Sequence, residues 1–353
     1  MPHKRPKEPR PRNKAVDAFR LIAIAAVIVI HTQPFSFMSG SSEFYAYLYL
    51  ILNQAAKFAI PFFFVIAGYY WGLNIRQGEP IAEISGRMLM RLALVFCVWS
   101  AVYLLPHDLP ALEHTGALDM LRTAHQRLLR LAEDPATLIL QGTKVHLWFL
   151  VGMAYALVIT WLVLWAGLGV LLPFIAVALY LFGLAAKSYA MTPLGIDLFG
   201  FNTRNGPFFS TIFFVTGYYL AGRVPSPRWF KIGLLVFMLG ILLHFTEIAA
   251  LWKLYYVSPV SHDFVVGTYF MGLGAAMMAL SGHALFHSAR LAAVGRLTLG
   301  IYVIHVWFIE MAASFVPRSN FMIELLFPIG ILTVSAGAAY LLAKSSLIRP
   351  IVV

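Results

Sequence analysis

Residues 15–31, AVDAFRLIAIAAVIVIH, form an almost unbroken apolar run with Asp17 and Arg20 near its start and His31 at its end. On an α-helix, Arg20 and His31 lie on one face, roughly 16 Å apart along the axis. Ionisable groups in a lipid-spanning helix are costly, so they usually face a protein cavity and mark a functional route. In the simpler alternative, Arg20 extends to the cytoplasmic headgroups and His31 ends the helix at the outer surface.

The composition of the rest of the chain is that of a membrane protein. Of its 353 residues, 60% are hydrophobic and 12% are charged, and the mean hydropathy is +0.79. A soluble protein carries about twice that charged fraction. Long apolar runs recur without the two-residue alternation of a β-barrel, so we predict an all-α, polytopic transmembrane bundle.

The net charge of +11 arises mainly from residues that flank the apolar runs. Six of the 26 Lys and Arg residues lie within residues 4–14, ahead of the first run. This distribution favours a positive-inside topology and argues against nucleic acid as a partner. We predict a disordered basic cytoplasmic tail (1–14), a transmembrane domain (15–343) and a short cytoplasmic tail (344–353).

About ten helices are predicted, which places both termini on one side of the membrane. Their predicted ranges are 15–34, 44–73, 88–105, 144–165, 168–186, 207–221, 229–252, 263–281, 297–316 and 321–343. With the termini in the cytoplasm, inner segments hold sixteen Lys and Arg residues and outer segments hold eight. This asymmetry supports the orientation. In the long outer segment 106–143, residues 119–130 are predicted to form an amphipathic helix on the membrane surface, with a substrate lid as the alternative.

Several ionisable or polar residues lie in or beside the predicted helices. Pro61 predicts a kink close to Lys57, and Gly68 would allow another helix to approach closely. Arg87 and Arg91 share a helix face at the cytoplasmic boundary, where they either extend to headgroups or bind an anion.

Further candidates occur later in the chain. His146 and Trp148 begin the fourth helix, either as interfacial anchors or as site residues, and Arg204 and Asn205 precede the sixth helix at a potential anion site. His305 and Glu310 lie in the ninth helix, and His244 and Glu247 are spaced to pair within the seventh. A metal site is not predicted, because neither an HExxH motif nor a cysteine set is present.

The segment 15–31 resembles the opening motif of the integral membrane acyltransferase family 3, in which an arginine and a histidine are separated by ten residues. The segments PFFFVIAGYYWG, RMLMRLALVFCVWSAVY, HLWFLVGM, TRNGPFFSTIFFVTGYYL and RLTLGIYVIH are similar to its later segments, in order. The resemblance covers residues 15–343. One departure is Ala67, where the family commonly has a serine.

The resemblance implies transfer of an acyl group, usually acetyl, from cytoplasmic acyl-coenzyme A to a hydroxyl of a cell-surface glycan or lipid-linked sugar. Acyl-coenzyme A would be a co-substrate, with no permanently bound cofactor, and the protein would lie among lipids of a bacterial inner membrane. His31 is the expected general base, assisted by His305 or Tyr302. The expected donor-binding residues are Arg20, Asp17, Arg87 and Arg91. The expected acceptor-binding residues are Lys57, His146, Trp148, Arg204, Asn205 and Glu310.

Two other functions are compatible with the sequence. A secondary transporter of a small anionic solute would also contain buried ionisable groups, although we find no pair of broken helices in corresponding halves. A structural partner of envelope enzymes would leave the face joining Arg20 to His31 without a purpose. Neither the partner of His31, a second histidine or a carboxylate, nor the oligomeric state is predicted.

Overall fold

The computed structural model describes residues 13–105 and 117–353, and within these ranges the secondary structure is helical, with no β-strand. The α-helices of the described residues are α1 (Lys14–Thr32), α2 (Glu43–Ala55), α3 (Ala59–Arg76), α4 (Ile81–Val102), α5 (Ala117–Ala132), α6 (Pro135–Gln141), α7 (Trp148–Trp165), α8 (Leu172–Ala185), α9 (Pro207–Leu220), α10 (Arg228–Tyr255), α11 (Val266–Leu280), α12 (Ala289–Gly295), α13 (Thr298–Ala313) and α14 (Phe321–Leu342). The all-α prediction is therefore confirmed.

Each of the ten predicted stretches contains a helix, but not all of these helices have the dimensions of a membrane span. Five helical spans in the described residues are long and apolar enough to cross a membrane. The number of such spans is six if α12 and α13, which are bent by 64° relative to each other, are counted as a single span. Helices α8, α9 and α11 are apolar but shorter. The number of crossings and the side on which the termini lie stay predictions, and residues 1–12 of the predicted tail lie outside the described residues.

The predicted second helix is broken by a 3₁₀ turn, Ala56–Phe58, which separates α2 from α3. The cause is Pro61, which has no N–H to donate to the carbonyl group of Lys57, four residues earlier. The helix is thus interrupted one turn ahead of the proline, and the predicted kink itself stays a prediction. The break leaves Lys57 between two helices rather than on the side of one.

Glycines set the close contact between α3 and α9. A Cβ atom at Gly68 would lie 2.0 Å from the carbonyl oxygen of Phe214, and one at Gly217 would lie 2.0 Å from that of Val65. Only glycine allows two backbones to approach this closely. The close approach predicted at Gly68 is confirmed.

Helix α1 lies inside the bundle, and the edge that joins Arg20 to His31 is buried between them. Two residues of this edge, Ile24 and Val27, are at most 1% exposed. The helix begins at Lys14, where the Asn13 side chain accepts hydrogen bonds from two backbone N–H groups. An Asn cap at this position satisfies amide groups that the first turn leaves unpaired.

The chain beyond His31 is held by a buried carboxylate on α14. Glu324 is fully buried and accepts a hydrogen bond from the Phe35 backbone N–H at 2.6 Å, while Arg318 binds both carboxylate oxygens. Gln33 and Phe35 have positive φ angles of 47° and 67°. The ion pair therefore fixes a strained turn that directly follows the candidate histidine.

The predicted pairing of His244 with Glu247 is wrong. His244 forms hydrogen bonds with Thr268 at 3.1 Å and Gln54 at 3.0 Å, on α11 and α2. Glu247 accepts hydrogen bonds from the backbone N–H groups of Val266 and Gly267, at the start of α11. Both side chains are satisfied as expected, but by neighbouring helices, because inter-helix partners compete with the pairing along one helix.

Helix α5 covers the predicted amphipathic segment. Its leucines Leu121, Leu128 and Leu129 are exposed in the described structure. An exposed apolar face suits a membrane surface, and that location stays a prediction. Residues 106–116 of the same predicted segment lie outside the described residues.

Candidate active site

Three histidines from separate helices meet next to the end of α1. The ring centroids of His31 and His305 are 5.1 Å apart, those of His146 and His305 are 5.4 Å apart, and those of His31 and His146 are 6.2 Å apart. His146 lies in the 3₁₀ turn that precedes α7, and His305 lies in α13. The sequence assigned His146 to the acceptor, and the structure places it beside the two candidate catalytic histidines.

The hydrogen bonds of the three imidazoles leave ring nitrogens unused. His305 is fully buried, and its Nδ1 donates to the carbonyl oxygen of Tyr302 at 2.6 Å, so the neutral ring carries its lone pair on Nε2. That Nε2, and both ring nitrogens of the buried His146, have no hydrogen-bond partner among the described residues. His31 is half-buried. Unpaired buried polar atoms are costly, so this cluster favours a polar ligand.

Tyr302 connects the cluster to the cavity below it. Its hydroxyl donates a hydrogen bond to the carbonyl oxygen of His146, and its ring contacts the rings of both His146 and His305. The hydroxyl is therefore engaged by the backbone. This arrangement suits Tyr302 to positioning His146 rather than to stabilising charge on a substrate.

A cavity of about 630 Å³ extends from the end of the bundle that is predicted to be cytoplasmic to Tyr302. Val27 of α1, one turn before His31, lines the same cavity, as do the aromatic residues Phe63 and Phe149. The arginines that line it are Arg20, Arg87, Arg91 and Arg296. A basic mouth and an apolar interior suit a long ligand with an anionic end.

The four arginines differ in how far they are already neutralised. Arg20 Nη1 lies 2.8 Å from Asp17 Oδ1. Arg87 forms ion pairs with Glu79, at 2.7 Å, and with Glu83. Arg87 is thus the weaker of the two donor-site candidates on α4, because two carboxylates offset its charge.

Arg91 and Arg296 complete the basic mouth. The Arg91 guanidinium donates a hydrogen bond to the backbone oxygen of Val353. Arg296, which the sequence did not assign to the donor site, lines the cavity between α12 and α13. Arg296 is the first residue of the RLTLGIYVIH motif, and this position could have indicated it as a site residue from the sequence.

A glycine sets the position of Arg296. A Cβ atom at Gly295 would lie 1.7 Å from the carbonyl oxygen of Asp17, so the end of α12 packs directly on the backbone of α1. The bend between α12 and α13 follows immediately. This contact brings Arg296 and Arg20 to one cavity.

A second charged group lies at the opposite, predicted outer, end of the bundle and consists of Lys57, Lys187, Arg204 and Asp263; we call it the Asp263 cluster. Arg204 Nη1 lies 3.2 Å from Asp263 Oδ1, Lys187 Nζ lies 3.4 Å from Oδ2, and Lys57 Nζ lies 4.0 Å from Oδ1. The sequence assigned Lys57 and Arg204 to the acceptor site. It missed Lys187 and Asp263, which are distant along the chain and form no local motif.

Two groups of this region lie outside the candidate membrane spans and have shifted pKa values. Burial alone would raise the pKa of Asp263, but Arg204, Lys57 and Lys187 outweigh burial and hold it below its ordinary value. Burial lowers the pKa of His262 to about 4, although the neighbouring Asp263 opposes this shift. Asp263 is therefore ionised, and His262 is neutral, at neutral pH.

Trp148 and Asn205 join the Asp263 cluster to the histidines. The Arg204 guanidinium lies over the Trp148 ring, 5.0 Å from its centroid, and its Nε lies 3.5 Å from Asn205 Oδ1. Trp148 follows His146 by two residues. Five of the six predicted acceptor residues therefore lie around the histidines or the Asp263 cluster.

Glu310, the sixth, forms an ion pair with Lys144 at 2.6 Å. No carboxylate of the described residues forms an ion pair with His31. The ring neighbours of His31 are His305 and His146, and which group assists His31 stays a prediction. The described residues contain no group of three metal-ligating side chains arranged to hold a metal ion.

The chain is similar to several known proteins. A family model described as acyltransferase domain matches residues 13–344. An amino-acid racemase of Enterococcus faecalis is 27% identical over 216 residues, which cover 58% of this chain and 28% of that protein. A serine/alanine racemase of Enterococcus gallinarum is 26% identical over 222 residues, 58% of this chain and 29% of that protein. The chain thus spans less than a third of the length of these relatives, and no solved structure matches it significantly.

Proposed function

Because the chain belongs to the acyltransferase family 3, whose domain matches nearly its whole length, we propose that this membrane acyltransferase uses cytoplasmic acyl-coenzyme A. The acyl group is acetyl, and the acceptor is a hydroxyl of a cell-envelope glycan or a lipid-linked sugar. The protein acts in the bacterial inner membrane, among lipids.

The observation that carries this proposal is the order of sites along the bundle. The basic mouth of the cavity, the three histidines and the Asp263 cluster follow one another from the predicted inner end to the predicted outer end. A donor can enter from one side and an acceptor from the other. The imidazoles lie between them, where an acyl group would change carriers.

The cavity suits the chemistry of acyl-coenzyme A. Arg20, Arg91 and Arg296 offer charge-assisted hydrogen bonds to the phosphates of coenzyme A. The apolar interior accommodates its slender pantetheine arm, with the thioester at the end near Tyr302. Asp17 contributes by orienting the Arg20 guanidinium through their ion pair.

The transfer step requires one base and balances without a further reactant. His31 accepts the proton of the acceptor hydroxyl, the hydroxyl oxygen forms a bond to the thioester carbonyl carbon, and the carbon–sulfur bond breaks. The proton then passes from His31 to the coenzyme A thiolate.

The direct test uses purified protein in lipid nanodiscs with acetyl-coenzyme A labelled in the acetyl group. We expect the protein to bind the labelled donor, to transfer the label to envelope glycan or lipid-linked sugar extracts, and to hydrolyse it slowly when no acceptor is added. A transporter would instead move a small anion into sealed vesicles without consuming the thioester. That result would exclude the proposed function.

A further inference from the structure

We propose that the Asp263 cluster is a subsite for a carboxylate or phosphate group on the acceptor. This inference rests on the proposed function, and it adds that the acceptor is anionic.

The first argument is charge. Lys57, Lys187 and Arg204 surround one carboxylate, and no other carboxylate of the described residues forms an ion pair with any of them. The cluster therefore carries two uncompensated positive charges. The four side chains are only 12–28% exposed. Partly buried cations without counter-ions are unfavourable, and a bound anion would offset this cost.

The second argument is the number of hydrogen-bond donors. Two ammonium groups offer three N–H donors each, and a guanidinium offers five, against the lone pairs of a single carboxylate. In addition, His262, only 2% exposed, has an Nε2 atom without a partner among the described residues. The cluster thus has unused polar capacity, and most of it consists of donors, which is what an anion requires.

The third argument is position. The cluster shares no residue with the lining of the donor cavity, whose own arginines lie at the other end of α1. Arg204 lies over Trp148, which follows His146 by two residues. An anionic group held by the cluster would therefore lie on the acceptor side of the histidines, within reach of a molecule whose hydroxyl approaches His31.

The test measures anion binding by the full chain in nanodiscs of neutral phosphatidylcholine. Sodium acetate and sodium phosphate are titrated against chloride at constant ionic strength, and the thermal unfolding midpoint is recorded. We expect both probes to raise the midpoint of the wild-type protein. Lys187→Gln and Arg204→Gln should each weaken the apparent affinity about tenfold, since each removes charge-assisted hydrogen bonds.

Asp263→Asn tests whether charge governs the anion response. Removing the carboxylate destabilises the anion-free protein and leaves three cations without any counter-charge, so added anion should bind more tightly. We expect a larger anion-induced shift in Asp263→Asn than in the wild type. Lys253→Gln, at an exposed lysine on the same predicted side, is the matched control and should keep the wild-type shift.

Two results would overturn the inference. One is an anion response that is unchanged in Lys187→Gln and Arg204→Gln, which would indicate adventitious ion binding only. The other is a response that disappears in nanodiscs containing phosphatidylglycerol, which would show that a lipid headgroup fills the cluster. Donor binding is measured separately with labelled acetyl-coenzyme A. If donor binding and transfer persist while the anion response fails these tests, the proposed function stands without the anionic acceptor.

Discussion

At the scale of single residues, the surroundings of His31 suit it to proton transfer. Its ring lies near two imidazoles, one of which, His305, carries a free lone pair on Nε2. The tautomer of His305 follows from its bond to a backbone carbonyl. A base in such a site exchanges its proton with substrate groups or with a neighbouring ring, because no carboxylate holds it in an ion pair.

Replacing His31 by Ala should therefore remove most of the acyl transfer. We expect a loss of about 10²- to 10⁴-fold, the usual contribution of a positioned general base, with donor binding retained. Transfer of labelled acetyl groups by folded variants is the measurement. The control is His287→Ala, at an exposed histidine outside the cavity. A folded His31→Ala protein with full transfer activity would rule out this mechanism.

Reversing the charge of Arg296 should weaken donor binding. Arg296 lines the basic mouth of the cavity, so in Arg296→Glu a carboxylate would face the phosphates of coenzyme A. We expect the affinity for acetyl-coenzyme A to fall by about tenfold or more, as measured by equilibrium binding of the labelled donor. Arg290→Glu, at an exposed arginine that does not line the cavity, is the charge-matched control. Equal losses in both variants would assign the effect to the general surface potential.

The stability of the protein should depend on pH through His262. Its pKa in the folded protein, about 4, is below its ordinary value of 6.5. As the pH falls from 6.5 to 4, the unfolded chain binds a proton that the folded protein does not, so the free energy of unfolding decreases. The pKa of Asp263 is lowered from 3.8, so the effect of this carboxyl group on the pH dependence of stability lies below pH 4.

In His262→Gln, the decrease in the thermal unfolding midpoint between pH 6.5 and pH 4 should be smaller than in the wild type. Unfolding in nanodiscs, followed by intrinsic fluorescence at several pH values, provides the measurement. His287→Gln is the matched exposed control. An identical pH dependence in wild type and His262→Gln would show that other groups govern this window.

At the scale of secondary-structure elements, the site depends on where helices end. Lys57 lies in the break between α2 and α3, and the three other members of the Asp263 cluster lie just after α8, just before α9 and just before α11. Helix ends carry polar backbone groups and allow side chains to turn towards one another. An acceptor site built from helix ends can therefore gather charges that a continuous apolar helix would exclude.

The contact between α12 and α1 leaves no room for a side chain at Gly295. Gly295→Ala would place a methyl group on the carbonyl oxygen of Asp17. We expect a destabilisation of about 1–3 kcal/mol from overpacking, together with weaker binding of acetyl-coenzyme A, because Arg296 and Arg20 would move apart.

Thermal unfolding and donor binding measure the two effects. Gly330→Ala in α14 is the matched control, since a Cβ atom there meets nothing within 4 Å, and it should leave the midpoint unchanged or slightly raised. Normal donor binding by Gly295→Ala would show that the α1–α12 contact does not set the cavity.

At the scale of the whole molecule, the proposed function requires that the donor enters the bundle from the cytoplasmic side of the membrane and the acceptor from the other side. We expect a cysteine at position 290 to react with a membrane-impermeant maleimide only from the cytoplasmic side, and one at position 253 only from the other side. Both native residues are exposed, and Cys97, the single native cysteine, would first be replaced by Ala. Labelling of both positions from one side would contradict the topology and, with it, transfer from one side of the membrane to the other.

The sequence alone determined the membrane class, the helical fold and the edge of α1 that joins Arg20 to His31. These properties depend on consecutive residues: hydropathy is a local sum, and a helical face follows from a period of 3.6 residues. The break at Lys57 was predictable for the same reason, because a proline acts on the carbonyl group four residues before it.

Only the tertiary structure decided which helices became neighbours. It placed His146 beside His31 and His305, added Arg296 to the donor cavity, and gathered Lys187 and Asp263 into one cluster. In the tertiary structure, Glu247 accepts a hydrogen bond at the start of α11, and His244 bonds to Thr268 instead of to Glu247. Side chains far apart in the chain meet only when the whole bundle packs, and close contacts such as that of Gly295 with α1 are set by the backbones of both helices, which a local pattern does not specify.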